Sequence, residues 1–365
     1  MIILTVTLLA LLAFANGAND NCKGVATLVG YGAARPRQAL LWAAFTTTIG
    51  AILSFWASSS LIKSFSTGLF TEGTLLNGAF FVAVLVGAFG WVIFATFTGL
   101  PVSTTHAITG ALTGAGLVAF GNTQFQWGFL GAKFALPLAL SPLLSLTLVY
   151  LLTWPILFVV TRLANRCACV QEEMTAQAAA HGAAVVAASQ LKLVVDDERA
   201  CAAQTNLVAV THSATANALH WLTSGLVGFA RGWNDAPKIA ALGLVALTGP
   251  RGMVLAFGIV TMAMAVGGLV AGRQVLETLS RKITPLPLTE AMTASLATAT
   301  LVSLASWQGM PVSTTHVSTG AIIGAGLKND ARAVRWAKVG EIALSWLCTL
   351  PFAALIAALV QMLIR

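Results

Sequence analysis

Six stretches of the chain, residues 37–62, 76–97, 136–161, 252–272, 288–307 and 339–364, each run for 20 residues or more with at most one charged side chain. A helix of about 17–25 apolar residues spans the hydrocarbon core of a bilayer. Inside that core every backbone N–H and C=O must find its partner within the protein, and long continuous apolar runs meet this demand as helices. Charged residues make up 9% of the chain, against about 25% in soluble domains. The sequence therefore reads as an all-α polytopic membrane protein. The apolar opening MIILTVTLLALLAFA lacks the basic leader of a signal peptide and runs directly into the polar NGAND. It reads as half of a first transmembrane helix. The net charge of +8 is then a matter of topology, and no nucleic-acid partner is implied. The five cysteines, Cys22, Cys167, Cys169, Cys201 and Cys348, show no metal-binding spacing and read as reduced, unliganded thiols.

Two phrases occur twice. Residues 101–117 read PVSTTHAITGALTGAGL and residues 311–327 read PVSTTHVSTGAIIGAGL, identical at thirteen of seventeen positions. Residues 14–26 read FANGANDNCKGVA and residues 229–241 read FARGWNDAPKIAA, and each is followed by a Pro-Arg, at Pro36-Arg37 and Pro250-Arg251. Such self-similarity marks a chain built from two homologous units. The units are 1–161, a first membrane repeat, and 205–365, a second. Residues 162–204 form a polar, Ala-rich linker, expected to be solvent-exposed and in part helical. Residues 205–228 are long enough to hide a further helix.

Loop charges orient the repeats. With the N-terminus outside and one crossing per helix, most Lys and Arg fall on the cytoplasmic side, as the positive-inside rule requires. This holds only if the second repeat is inserted inverted relative to the first. The linker is then cytoplasmic and both termini extracytoplasmic, in the cell's inner (plasma) membrane. Inverted repeats with interrupted helices meeting near the bilayer midplane are a recurrent transporter architecture.

The repeated phrases carry the chemistry. Pro101 stops a helix, and Ser103, Thr104 and Thr105 stand where the next begins. Ser and Thr are good N-caps, and a helix start turns free N–H groups and a positive dipole end outward. Hydroxyls and amides together suit an oxyanion. Ser313, Thr314 and Thr315 repeat the arrangement from the other unit, as helical-hairpin-like segments. Glycines 110, 114, 116, 320, 324 and 326 allow close helix packing. His106 and His316 read as structural, with gating or proton transfer as the functional alternative. His181, His212 and His220 have no repeat partners.

Asp20 and Asp235 are ionisable groups inside apolar segments, where ions mark substrate or cation paths. Asn19 and Asn234 add amide donors and acceptors. Gly17 and Gly232 are expected to let the helix open there. Carboxylate, amide and freed carbonyl oxygens suit a small hard cation such as Na⁺ at Asp20 and Asp235. Lys23 and Lys238 each follow their Asp by three residues, on one helix face. Each lysine can pair with its own Asp, point at an anion, or snorkel to a membrane surface. An intramembrane hydrolase using Ser103 or Ser313 with a nearby His is the reading from another class. The symmetry of the phrases speaks against it, since catalysis needs one nucleophile.

Gly17-Ala18-Asn19-Asp20, Gly232-Trp233-Asn234-Asp235, Pro101 to His106 and Pro311 to His316 together resemble the inorganic phosphate transporter (PiT) family of sodium- or proton-coupled permeases. The resemblance covers nearly the whole chain. It implies two inverted halves, a homodimer, and symport of phosphate by alternating access. It assigns Asp20, Asn19, Asp235 and Asn234 to cation and phosphate, and Ser103–Thr105 and Ser313–Thr315 to the phosphate oxygens. A sulfate or related oxyanion permease is the alternative. No catalytic residue and no cofactor beyond a coupling Na⁺ is implied. The chain departs from the family's usual Asn-Asp-Val-Ala-Asn at two positions, where Lys23 and Lys238 replace the second Asn. If all four groups are ionised, the lysines bring the site's charge from near −2 to about 0. Sodium dependence is then expected to weaken.

Overall fold

The computed structural model describes residues 1–163, 166–178, 185–197 and 206–364. The first unit opens with α1 (Ile2–Asp20), a 3₁₀ turn (Asn21–Gly24) and α2 (Ala26–Tyr31). Then come α3 (Pro36–Ala57), the short α4 (Ser59–Ser66), α5 (Gly78–Phe97) and α6 (Thr104–Phe120). A helical turn (Trp127–Phe129) and a π-helical stretch (Leu130–Ala135) lead into α7 (Leu136–Leu163). The second unit holds α8 (His212–Gly243), α9 (Gly249–Ala271), the short α10 (Arg273–Arg281), α11 (Leu288–Trp307), α12 (Thr314–Asp330) and α13 (Trp336–Ile364). Among the described residues, seven helical segments are long and apolar enough to cross a membrane.

The joint departs from expectation. Among its described residues it holds β1 (Arg166–Ala178) and β2 (Val185–Asp197) in place of the expected partial helix, and β3 (Asn206–Thr211), at the start of the second repeat, completes an antiparallel sheet in the order β2-β1-β3. The fold is thus mostly rather than wholly helical. Apolar and polar residues alternate in Leu191-Lys192-Leu193, a period of two that suits a strand. Cys167 is disulfide-bonded, which corrects the expectation of reduced thiols for that residue. Cys22 and Cys348 are free, and Cys201 lies outside the described residues.

Residues 212–228 prove to be the leading half of α8, not a separate helix. The two repeated motifs also differ in form. The first breaks after Asp20 into the 3₁₀ turn, whereas α8 runs through its own copy with Pro237 inside. The break brings Gly24 close to the Gly228 backbone, with a Cβ placed there only 3.0 Å from its nitrogen.

The two units interlace. α1 packs on α9 of the other unit, and α8 packs on α3; α6 packs on α13, and α12 on α7. Each pair crosses between units and has its counterpart. Gly17 and Gly232 do not open their helices. They sit at these crossings, where an added Cβ would strike the Met264 and Thr47 carbonyls. Gly110 and Gly114 meet the α13 backbone, and Gly320 and Gly324 the α7 backbone, which is the close packing read from the sequence.

Candidate substrate and ion site

The two Pro-Val-Ser-Thr-Thr-His segments are built alike. α5 ends at Gly99 (φ 72°), with Leu100 N–H bonded to Ala95 O at 2.9 Å and Gly99 N–H to Thr96 O at 3.1 Å. α11 ends the same way at Gly309 (φ 66°), with Met310 N–H to Ala305 O at 2.9 Å. A left-handed glycine closing the last carbonyls is the Schellman ending. The glycine therefore stops the helix, and the proline two residues on only prevents its return. Ser103 and Ser313 are N-caps as expected, each Oγ accepting from the N–H of His106 or His316 at 3.1 Å.

The motifs meet in the interior. Asn19 Nδ2 donates to Leu100 O at 3.0 Å and Thr96 Oγ1 at 3.1 Å, and its Oδ1 accepts from Val102 N–H at 3.0 Å. Asn234 Nδ2 donates to Val312 O at 3.1 Å, and its Oδ1 accepts from Ser306 Oγ at 3.1 Å. Each Asn thus fastens its own unit's Pro-Val turn.

The lysines reach across. Lys23 Nζ bonds Asp20 Oδ1, Thr315 Oγ1 of the other unit and, at 3.0 Å, Val102 O of its own. Lys238 Nζ lies 3.5 Å from Asp235 Oδ1, 2.9 Å from Thr105 Oγ1 of the other unit and 2.9 Å from Val312 O of its own. Thr315 Oγ1 in turn donates to Val102 O at 2.6 Å, and Thr105 Oγ1 to Val312 O at 3.2 Å. An ammonium has three donors; all three of Lys23 find an acceptor, while Lys238 makes two hydrogen bonds and holds Asp235 as an ion-pair contact. Both lysines are buried, so snorkelling is excluded. Thr104 Oγ1 donates to Asp20 Oδ2 at 3.3 Å; its counterpart Thr314 is also buried.

Sequence reasoning missed Arg231. It occupies the repeat position of Asn16, and that replacement of an amide by a cation was the signal available. Its guanidinium is fully buried, with Nη2 bonded to Asn16 Oδ1 and Nη1 to Asn21 Oδ1, and Nε 3.6 Å from Asp235 Oδ2. Asn16 Nδ2 lies 3.1 Å from Asp20 Oδ2 and 3.3 Å from Asp235 Oδ2, and so bridges the two carboxylates. The formal count is three bases (Lys23, Lys238, Arg231) against two acids (Asp20, Asp235), or +1 rather than 0. All four carboxylate oxygens accept a hydrogen bond from the chain: Asp20 Oδ1 from Lys23, its Oδ2 from Asn16 and Thr104, Asp235 Oδ1 from Asn234 and its Oδ2 from Asn16. Lys238 Nζ and Arg231 Nε add ion-pair contacts to Asp235 at 3.5 and 3.6 Å. A buried ion pair is stable only when its remaining lone pairs and protons are satisfied in this way.

His106 and His316 meet at the junction of the units, ring centroids 4.6 Å apart and planes inclined by 39°. His316 Nδ1 lies 3.0 Å from Leu138 O, and its ring packs 4.0 Å from that of Trp346. Both rings line an apolar cavity of about 570 Å³ with Leu138 and Trp346. His220 is buried beside Tyr31, whereas His181 lies outside the described residues.

A membrane-embedded helical protein with a duplicated ionic site between two interlaced units is built as a permease, and its two cap serines are equivalent rather than one being singled out as a nucleophile. The sequence pattern of the phosphate transporter family matches residues 16–357. The chain belongs to that family and is not an enzyme. It is 32% identical to the probable low-affinity inorganic phosphate transporter of Rhizobium meliloti (strain 1021), over 95% of this chain and 91% of that one. It is 31% identical to a chain named as a phosphate permease in Pyrococcus abyssi, over 98% and 96%. A solved structure described as the sodium-dependent phosphate transporter superposes with a TM-score of 0.76 at 24% identity, over 99% of this chain and 98% of that one, and shares the fold.

Proposed function

We propose that the chain imports inorganic phosphate as a secondary transporter working by alternating access. The observation that carries this reading is the crossed network in which each Asp–Lys pair of one unit holds a threonine of the other. A substrate that competes for the lysines and for Thr105 and Thr315 loosens both units at once, which couples its binding to their relative movement. Ser103, Thr104, Thr105, Ser313, Thr314, Thr315, Asn19, Asn234, Lys23 and Lys238 are the proposed phosphate ligands. The halves are proposed to be inverted repeats, 1–161 and 205–365. The linker 162–204 is then cytoplasmic, both termini are extracytoplasmic, and the protein works as a homodimer in the inner membrane.

Coupling follows from charge. Asp20 and Asp235, with Asn19 and Asn234, are the natural cation ligands. In this chain every carboxylate oxygen already meets a donor of the protein, so a sodium ion fits poorly there. Lys23, Lys238 and Arg231 supply the positive charge that an entering anion needs, and sodium dependence is weakened or lost. Radiolabelled phosphate uptake into proteoliposomes, with sodium and pH gradients varied separately and sulfate as competitor, tests the reading. The expected result is uptake that persists in choline and is driven by the pH gradient. Complete loss in choline overturns the coupling proposal. Preferred transport of sulfate, which the same hydroxyl and ammonium donors also suit, overturns the substrate.

A further inference from the structure

The Gly309 turn, which leads into the second Pro-Val-Ser-Thr-Thr-His, forms one wall of a cavity of about 510 Å³. The other walls come from α4, the loop after it and the π-helical stretch before α7. Lys63 and Lys133 line it against one carboxylate, Glu72, together with the hydroxyls of Ser60, Ser64 and Thr67. Among the described residues neither lysine's ammonium has a hydrogen-bond or ion-pair partner. Two cations thus face one anion in a polar cleft, with their donors uncommitted.

A second cavity, of about 350 Å³, repeats the composition. Arg273 and Arg281 line it against one carboxylate, Glu277, with Ser280 beside them. Its wall is α10, which holds in the second unit the place of α4 in the first. The Gly99 turn packs on α10, a Cβ at Gly99 falling 3.6 Å from Thr278 Oγ1. Pro36, the first residue of α3, also lines this cavity, while Ser60 of the other cavity lies just past the last residue of α3. A 22-residue helix is about 33 Å long, close to the thickness of a bilayer's hydrocarbon core. The two cavities therefore lie at opposite ends of one membrane-spanning helix.

α4 lies between the first cavity and the central site. Ser64 lines the cavity, and the adjacent Phe65 is fully buried with its ring centre 5.9 Å from Lys238 Nζ. Phe65 also packs edge-on against the buried Phe134 at 5.1 Å. A polar compartment and the ammonium of the central site thus stand on two sides of a single short helix.

We infer that the Lys63–Lys133 cavity is an oxyanion-capture vestibule of the transport path, with Phe65 on α4 as the partition between it and Lys238; the inference rests on the proposed transport function. The cavity of Arg273 and Arg281 is its counterpart on the opposite face. A cleft with excess charge of one sign, set in a low-dielectric protein body, concentrates the opposite ion at its mouth and speeds its association. Captured phosphate is held by lysine donors and hydroxyls until α4 shifts and lets it reach Lys238 and Thr105.

The test is uptake into proteoliposomes of defined orientation, with radiolabelled phosphate and, separately, radiolabelled sulfate. Lys63→Ala with Lys133→Ala is expected to raise KM for phosphate about tenfold at one face, to flatten its dependence on ionic strength, and to change the maximal rate less. Lys63→Arg with Lys133→Arg keeps the wild-type KM. Arg273→Ala with Arg281→Ala raises KM only at the opposite face. An alanine pair at 63 and 133 with wild-type KM and wild-type salt dependence overturns the vestibule and leaves the transport reading intact. A wild-type protein that carries sulfate but not phosphate, with KM for sulfate raised by the same pair, overturns phosphate as substrate and supports the vestibule. A wild-type protein that carries neither anion overturns both.

Discussion

The two lysines look equivalent in sequence, and the structure predicts that they are not. Lys23→Asn and Lys238→Asn each restore the residue usual in the family, and each removes one bond to a Val carbonyl and one to a Thr hydroxyl. Those losses cancel in the comparison. What remains is the carboxylate left behind. Asp235 keeps Arg231 Nε at 3.6 Å, whereas Asp20 keeps only the Asn16 amide and the Thr104 hydroxyl. Removing one partner of a buried ion pair costs about 3–5 kcal/mol when the other charge is stranded. Lys23→Asn is expected to cost about that much, and Lys238→Asn about 1–3 kcal/mol, the range for leaving a buried acceptor one donor short. The gap of about 2 kcal/mol corresponds to a roughly thirtyfold difference in an equilibrium constant. Thermal unfolding in detergent and phosphate uptake, each in sodium and in choline, read it out. Lys23→Asn should be the less stable and the less active in choline, and sodium should restore it more, by neutralising Asp20. Equal effects of the two substitutions, or a more damaging Lys238→Asn, would refute the assignment of Arg231 as second counter-ion to Asp235.

Ser103→Ala and Ser313→Ala each remove one N-cap of the same geometry and should lower stability by similar amounts, about 1 kcal/mol; a large effect of only one on uptake would point to unequal roles for the two segments. Gly17→Ala and Gly232→Ala drive a methyl into a facing backbone carbonyl, whereas a Cβ at Gly90 meets nothing nearer than 3.7 Å. Both substitutions should strongly reduce the yield of folded protein in detergent extraction, while Gly90→Ala should leave it unchanged. Arg231→Asn, which makes the second motif match Asn16 of the first, takes the formal site charge from +1 to 0. Phosphate KM should rise, and its sodium dependence should increase; an unchanged KM in choline would show that Arg231 acts only in packing.

Much of this protein follows from the chain alone. Twenty-residue apolar runs have no partner for their backbone but themselves, so the helices and their membrane setting are local consequences of composition. Duplication of PVSTTH and of the Asn-Asp-containing phrase is likewise plain in the letters, and the Ser caps form because a serine oxygen reaches the N–H three residues on. The joint was less legible, because an Ala-rich polar stretch is compatible with helix and a strand is specified only once it pairs with another, here β1 with its neighbours β2 and β3. Helix opening at Gly17 was misread for a related reason: a glycine that breaks a helix and one that admits a neighbouring backbone are the same letter, and only the position of Met264 tells them apart. Arg231 was hidden by its own sequence context, one cation in a repeat that already held a lysine. Its role arises from Asn16 and Asn21, more than two hundred residues away, which interlacing of the two units brings to its guanidinium. The sequence by itself determined which ionic and hydroxyl groups enter the membrane and that they do so in pairs. Which group faces which, and hence that the lysines bond across the units and the site carries three bases to two acids, was decided by tertiary packing, since those distances are set by helix crossings and not by spacing along the chain.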